Sequence, residues 1–332
     1  VTGVRRVLFR SSGTSAIALS GNIVTFTDSA KDLTTLGLAV GEWVYLGDDT
    51  AGNRFANNAG FARISAIAAG ALTFDKVSWT PANETGTAKT IRMYFGNFLR
   101  NEPAATDIVR RTYNLERQLG DDDNGTMSEY LVGAVANELT VNVPQADKVT
   151  MDLSFVALDN EQRDGTTGVK SGSRVDAPSE EALNTSSDFA RIHLSLVDAT
   201  DSTVAALFAY ATDMSIAVNN NVSPLKAIGT LGGFDTTAGT FEVGGNLTAY
   251  FATIDAVQAV RNNSDVTLDM ILVKANKGIV VDLPLLALGD GRLAVELNQA
   301  ITLPLETNAA QHPTLGYTML MQFFPYLPDY AG

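Results

Sequence analysis

The chain has 332 residues, 45% hydrophobic and 18% charged, a globular composition with room for more than one domain. Its 23 basic and 37 acidic residues leave a net charge of −14, which argues against a surface that grips DNA through clustered Lys and Arg. The absence of cysteine excludes disulfides and thiolate chemistry. No run reaches the length of a membrane span, and no signal peptide is visible. With so few charges, much of the surface must be neutral, as in proteins that bury faces against partners.

In chain order, the first 98 residues read as short β-branched and aromatic runs divided by Gly, Asn and Asp turns. These are "NIVTFT" (22–27), "EWVYLG" (42–47), "FARISAI" (61–67), "ALTFD" (71–75) and "TIRMYF" (90–95). Their spacing predicts a small β-barrel or sandwich over 11–98. "LRNEPAATD" (99–107) reads as a linker into a larger β-domain over 99–332.

That second part carries longer strands, at 112–119, 137–143, 148–158, 190–197, 213–219, 240–251, 266–274, 278–288, 292–305 and 317–325. Several alternate. Val149, Met151, Leu153 and Phe155 share one face, and Thr150, Asp152 and Ser154 the other; Val266, Leu268 and Met270 oppose Thr267 and Asp269. Such strands predict antiparallel sheets with one wet side. Helices are expected at 253–263, capped by Thr253 or Asp255 with Ile254, Val257 and Val260 on one face, and at 126–135, where Thr126 and Glu129 form a capping box. Residues 163–188 read as a polar surface loop with a helical turn at 179–183. So many strands leave edges with few blocking lysines, which predicts pairing between copies.

The patterns that carry chemistry mostly fail. His193 and His312 are unlinked and have no Cys partners, a weak metal set. No G-x-S-x-G elbow supports a serine triad. In "GTTGVKS" (165–171) the glycines are too close and Lys170 is displaced for a phosphate loop, so a flexible loop is the better reading. "GDDDNG" (120–125) resembles a calcium loop, but Gly120 and Leu131 fall on its first and last ligand positions, which leaves a solvated acidic turn. No catalytic residue, metal site or cofactor is assigned. The aromatic "FFPYLPDY" (323–330) fits a docking segment and the protein's own core equally.

The segments "RRTYNLERQLGD", "EYLVGAVANELTVNVPQADKVTMDLSFVALD", "TDMSIAVNNNVSPLKAIGTLGGFDTTAGTFEVGGNLTAYFATIDAVQAVRNN" and "IVVDLPLLALGDGRLAVELNQAITLPLE" together resemble the tail tube (major tail) protein family of long-tailed bacteriophages. The match runs over roughly residues 100–330. "GEWVYLGDD…GFARISAI…LTFDK" (41–76) resembles an extra β-domain of some members, expected to decorate the outside. The resemblance implies a mainly β fold of two packed antiparallel sheets with a short flanking helix. It also implies hexameric rings stacked into a tube in the virion tail, assembled in the host cytoplasm. The tube would carry DNA without specific binding and meet the tape measure, tail terminator and distal tail proteins. At the front the chain departs from the family: it opens at Val1 rather than Met, and residues 1–10 are read as a tube-domain strand whose N-terminal part is incomplete.

A net charge of −14 suits a conduit for DNA, since like charge prevents phosphate contacts. Asp152, Asp213, Glu242 and Asp269 are the candidate lumen-facing acids, with outward solvated acids as the alternative. In "AYATDMSIAVNNNVSPLKAIGTLGGFD" (209–235) a strand runs into a soft segment. Asn219, Asn220 and Asn221 tolerate turns, Pro224 interrupts pairing, and Gly232 and Gly233 loosen the backbone. These six are the candidate inter-subunit contacts. The competing readings are another β-rich virion protein, such as a capsid decoration or adhesin, and a carbohydrate-active enzyme with converging carboxylates.

Overall fold

The computed structural model describes residues 7–328 except 103, 178, 180, 209, 252 and 253; the side chains of residues 7, 8 and 105 are also outside the description. The first eight strands are β1 (Val7–Ser12), β2 (Ser15–Ser20), β3 (Ile23–Asp28), β4 (Trp43–Leu46), β5 (Gly60–Ala68), β6 (Ala71–Val77), β7 (Glu84–Thr85) and β8 (Thr90–Phe95). They form one antiparallel sheet in the order β1-β8-β4-β5-β6-β3-β2-β7, and no barrel closes. Its alternation is physical: in β3, Val24 and Phe26 are fully buried while Ile23, Thr25 and Thr27 are half-buried. Val24 and Phe26 join Phe9, Leu33, Phe55, Ile64, Leu72 and Phe74 in a core of their own. Residues 7–10, expected in the tube domain, pair through β1 with β8 of this first sheet; residues 1–6 lie outside the described residues.

The larger sheet is built from β9 (Asn97–Arg100), β10 (Tyr113–Asp122), β11 (Gly125–Val143), β12 (Thr150–Val156), β13 (Asp159–Arg163), β14 (Phe189–Leu196) and β15 (Ala211–Asn219). A two-stranded hairpin, β16 (Ser223–Leu225) with β17 (Asp235–Thr237), intervenes. The sheet is completed by β18 (Glu242–Tyr250), β19 (Val266–Lys274), β20 (Lys277–Gly289), β21 (Thr302–Ala309) and β22 (Leu320–Phe324), with one helix, α1 (Asp255–Arg261), between β18 and β19. The main order is β10-β11-β15-β18-β21-β20-β19-β14; β12 and β13 follow each other along β11, and β9 pairs with β22, which pairs with β20.

β20 is the corner. One side pairs with β19 from Lys277 to Leu286, while the other pairs with β22 at residues 278–282 and with β21 at residues 286–289. The change of partner falls beside Pro284, which has no N–H to give to a ladder. The sheet therefore folds over itself into a sandwich. Val141, Ile216, Leu247 and Leu305 from one half face Leu194, Leu268, Met270 and Leu283 from the other across one core.

Four sequence expectations change. Residues 126–135 are not a helix but the first half of the nineteen-residue β11, with β10 on one side and β13 on the other. Glu129, expected in a capping box, is ion-paired across the hairpin to Arg117 at 2.5 Å, and Tyr130 is buried. Tertiary pairing on both flanks overrides the local helix signal. The second helix forms as α1: Val257 and Val260 pack partly buried against the core as expected, beside the fully buried Ala256 and Ala259, but Ile254 is 60% exposed, and Thr253 lies outside the described residues. Residues 292–301 are loop, and the strand there is β21. No helical turn forms at 179 or 181–183.

The two sheets share a third core. Trp43, Tyr45, Phe61 and Tyr94 of the first sheet pack on Ile271, Val280, Tyr317, Leu320 and Phe324 of the second. Burying each such side chain is worth about 1.5–3 kcal/mol. Gly41 has φ +87°, and a Cβ there would sit 2.2 Å from the Tyr317 ring, so only glycine allows this approach.

Candidate functional site

The register of the sandwich half formed by β12, β11, β15, β18 and β21 decides which side chains share its outer face. Thr140 stands opposite Asp152 on one side and Ala217 on the other; Ala217 meets Gly244, and Gly244 meets Asn308. The next row is Thr150, Asn142, Ser215, Asn246 and Glu306, and flanking rows carry Glu138 with Glu242 and Asp213 with Thr248. Paired residues of an antiparallel ladder point the same way. Asp152, Asp213 and Glu242 therefore lie on one face, and each is exposed.

Glu138 and Glu306, also exposed, belong to the same face and escaped the sequence reading. Alternation could have found Glu138, opposite in parity to Leu139 and Val141. Glu306 lay one residue beyond a strand expected to end at 305. None of β12, β15, β18 or β21, nor residues 136–143 of β11, contains Lys or Arg. Small residues such as Ala217 and Gly244 keep this face flat. Asn142 Nδ2 donates to Asp152 Oδ2 at 3.1 Å, which fixes that carboxylate along the wall.

Asp269 is elsewhere. It lies in β19, in the other half of the sandwich, and is fully buried. Its alternation was read correctly, but its polar face is covered by the first sheet rather than by water. Arg191 Nε and Nη2 grip the Asp269 carboxylate at 2.6 and 2.8 Å, and His193 Nδ1 stands 3.6 Å away. Burial acts to raise the Asp269 pKa, yet Arg191 and His193 overcome it and hold the carboxyl well below its usual range. Beside it, Arg63 of β5 makes a bidentate pair with Asp75 and donates from Nη1 to Asp282 Oδ1 at 2.9 Å. The single Tyr317 Oη proton is shared between Asp282 Oδ2 at 2.6 Å and the Gly41 carbonyl at 2.9 Å. Lys76 donates to Ser195, and burial lowers its pKa from 10.5 to about 8.

Backbone groups complete this clamp. The buried Gln322 side chain accepts from the Trp43 N–H at 2.7 Å and donates to the Trp43 carbonyl at 2.8 Å, taking the place of a strand partner. Arg191 Nη1 reaches the Val77 carbonyl at 3.1 Å. Ser202 bonds both β3 and β6, through the Val24 N–H and the Phe74 carbonyl. The charged cluster is a structural lock with every carboxylate partnered, not a cleft open to a substrate.

The predicted contact residues fall on and around the hairpin β16–β17. Asn219 Oδ1 accepts from the Asn221 N–H at 2.7 Å, Asn220 Nδ2 donates to the Ala136 carbonyl at 3.1 Å, and Asn221 takes a left-handed φ of +49°. Pro224 does not end pairing: it stands opposite Thr236 in the short ladder. Gly233 N–H donates to the Leu158 carbonyl at 2.9 Å, and a Cβ on Gly232 would be 2.9 Å from that oxygen. Arg110 pairs with Asp235 at 2.6 Å. The segment is thus a bound finger with an exposed tip, Leu225 39%, Ile228 108%, Leu231 100% and Phe234 60% exposed.

The remaining motifs resolve locally. Asp122 Oδ1 accepts from the Asn124 and Gly125 N–H groups, so the acidic turn caps the β10–β11 hairpin. Lys170 lies over the Tyr130 ring and pairs with Glu161. Among the described residues no His, Asp or Glu group is arranged to hold a metal, and no helix is long and apolar enough to cross a membrane.

A family model described as phage tail tube protein matches residues 6–309. No curated protein matches the chain.

Proposed function

The chain belongs to the phage tail tube protein family, and from that membership we propose that it forms hexameric rings that stack into a tube, with the acidic sheet face lining the channel. The observation that carries the reading is the face itself: five carboxylates, small neutral residues, and no Lys or Arg on any contributing strand. A duplex sliding past this wall finds no cation to pair its phosphates, and like charge keeps it from adhering. Asp152, Asp213 and Glu242 are the lumen acids of this proposal, joined by Glu138 and Glu306. Buried Asp269 is not one.

The sheet edges support association. Among the described residues β12 and β13 pair with no strand but β11, which leaves their outer edges without a ladder, and Met151 and Leu153 on β12 are 49% and 54% exposed. An open edge beside uncovered apolar side chains is a template for a second copy. The wall of one copy then continues into the next around the ring. Tape measure, terminator and distal tail proteins meet the tube inside and at its ends, DNA transits without specific binding, and the role is structural rather than catalytic. The first sheet, locked onto the half of the sandwich away from the acidic face, sits on the outside of the tube.

Electron microscopy of purified protein at increasing concentration tests this. Rings with a central channel that stack into tubes are expected; monomers at all concentrations overturn the reading.

A further inference from the structure

The finger and a groove occupy opposite ends of the same strands. β18 leaves the finger end at Glu242 and reaches α1 after Tyr250, a run of about 30 Å at ~3.4 Å per residue. β15 starts beside the groove and ends at the finger. The groove lies between α1 and residues 204–207; Leu196, Val204, Ala206, Leu207 and Ala259 line it, and the polar Asp255, Gln258, Asn262 and Ser264 share the lining. Its volume is about 300 Å³, about twice the ~150 Å³ that accommodates a benzene ring, so it takes two branched aliphatic side chains.

We propose that Ile228 and Leu231 of one copy insert into this groove of a copy in the next ring, so that the finger and the groove form the stacking joint of the tube. The inference rests on the tube reading and names the residues of one of its contacts. Three observations favour a second copy as the occupant. The tip offers two fully exposed aliphatic side chains, which an isolated chain has no reason to present. The charges complement each other: Lys226 is exposed on the tip, Asp255 is exposed at the groove, and neither has an ion-pair partner among the described residues. The two surfaces are different and lie at opposite ends, so the contact is head-to-tail; such a joint does not close on itself and propagates as an open stack.

The chain has no cysteine, so engineered thiols report cleanly. The variant carrying both Leu231→Cys and Ala206→Cys, assembled and treated with a short bis-maleimide, should give a ladder of covalent multimers, and each single variant should not. Ile228→Ser with Leu231→Ser should leave rings intact and lower the stacked fraction at least about tenfold, as expected for removing buried aliphatic contacts. Lys226→Asp and Asp255→Lys should each reduce stacking, and the two together should restore it. Normal stacking by the serine variant, or cross-linking of position 231 to a different protein in virions, overturns the joint while leaving the tube reading intact. Failure of the unmodified protein to form rings or tubes overturns both.

Discussion

Replacing Arg63 by Met tests the buried lock. Arg63 is 3% exposed and Asp282 fully buried, and the pair closes at 2.9 Å with Tyr317 completing the Asp282 shell. Removing the guanidinium leaves Asp282 and Asp75 facing each other without their common cation. Breaking one side of a buried ion pair costs about 3–5 kcal/mol, a large part of a typical stability of about 5–15 kcal/mol. Burial already raises the Asp282 pKa above its ordinary 3.8, and losing Arg63 raises it further. A carboxyl with a raised folded pKa contributes stability below its unfolded pKa and loses it as pH rises through the folded pKa. The Arg63→Met deficit should therefore widen as pH climbs above about 4. Urea unfolding followed by tryptophan fluorescence reads this, because Trp43 lies in the shared core beside the lock. Arg63→Met with Asp282→Leu should recover more than half of the loss, since the uncompensated buried charge is gone. A single-variant loss below about 1 kcal/mol, or no recovery in the double variant, would refute the claim that this pair holds the sheets together.

The buried Lys76 amine, shifted from 10.5 to about 8, carries a charge cost in the fold that disappears as it deprotonates. The unfolded chain binds the extra proton between those values, so stability from this group rises with pH from about 8 to 10.5, by up to about 3 kcal/mol, and Lys76→Met should flatten that rise in pH-dependent urea melts. Asp269→Ala should destabilise the monomer by about 3–5 kcal/mol in thermal melts by stranding Arg191, whereas Asp152→Lys, on the exposed wall, should change stability by less than about 0.5 kcal/mol. Asp152→Lys with Asp213→Lys should leave tubes intact and slow DNA ejection, and unchanged ejection would place those residues away from the channel. Gly41→Ala should cost about 1–3 kcal/mol in the same melts through overpacking on Tyr317, and Gly21→Ala, with open space around it, less of that clash.

The sequence by itself determined that this is a mainly β protein and which residues alternate. Val141, Leu247, Met270 and Leu305 could be assigned to a core, and Asp152, Asp213 and Glu242 to a polar face, because side-chain parity along a strand is a local property. It also carried the family resemblance, which rests on the order of long segments. What it could not determine was which face meets what. Asp152 and Asp269 occupy the same kind of position in similarly alternating strands, yet one is exposed on the wall and the other is buried under Arg191 and the first sheet. The turn at Pro284 sends the two halves to opposite sides of the core, and the packing of Trp43 and Phe61 on Tyr317 and Phe324 joins residues more than two hundred positions apart. The capping-box pattern at Thr126 lost for the same reason: a helix gains its hydrogen bonds locally, but β11 has strands on both flanks, and pairing with β10 and β13 outweighs what one turn of helix offers.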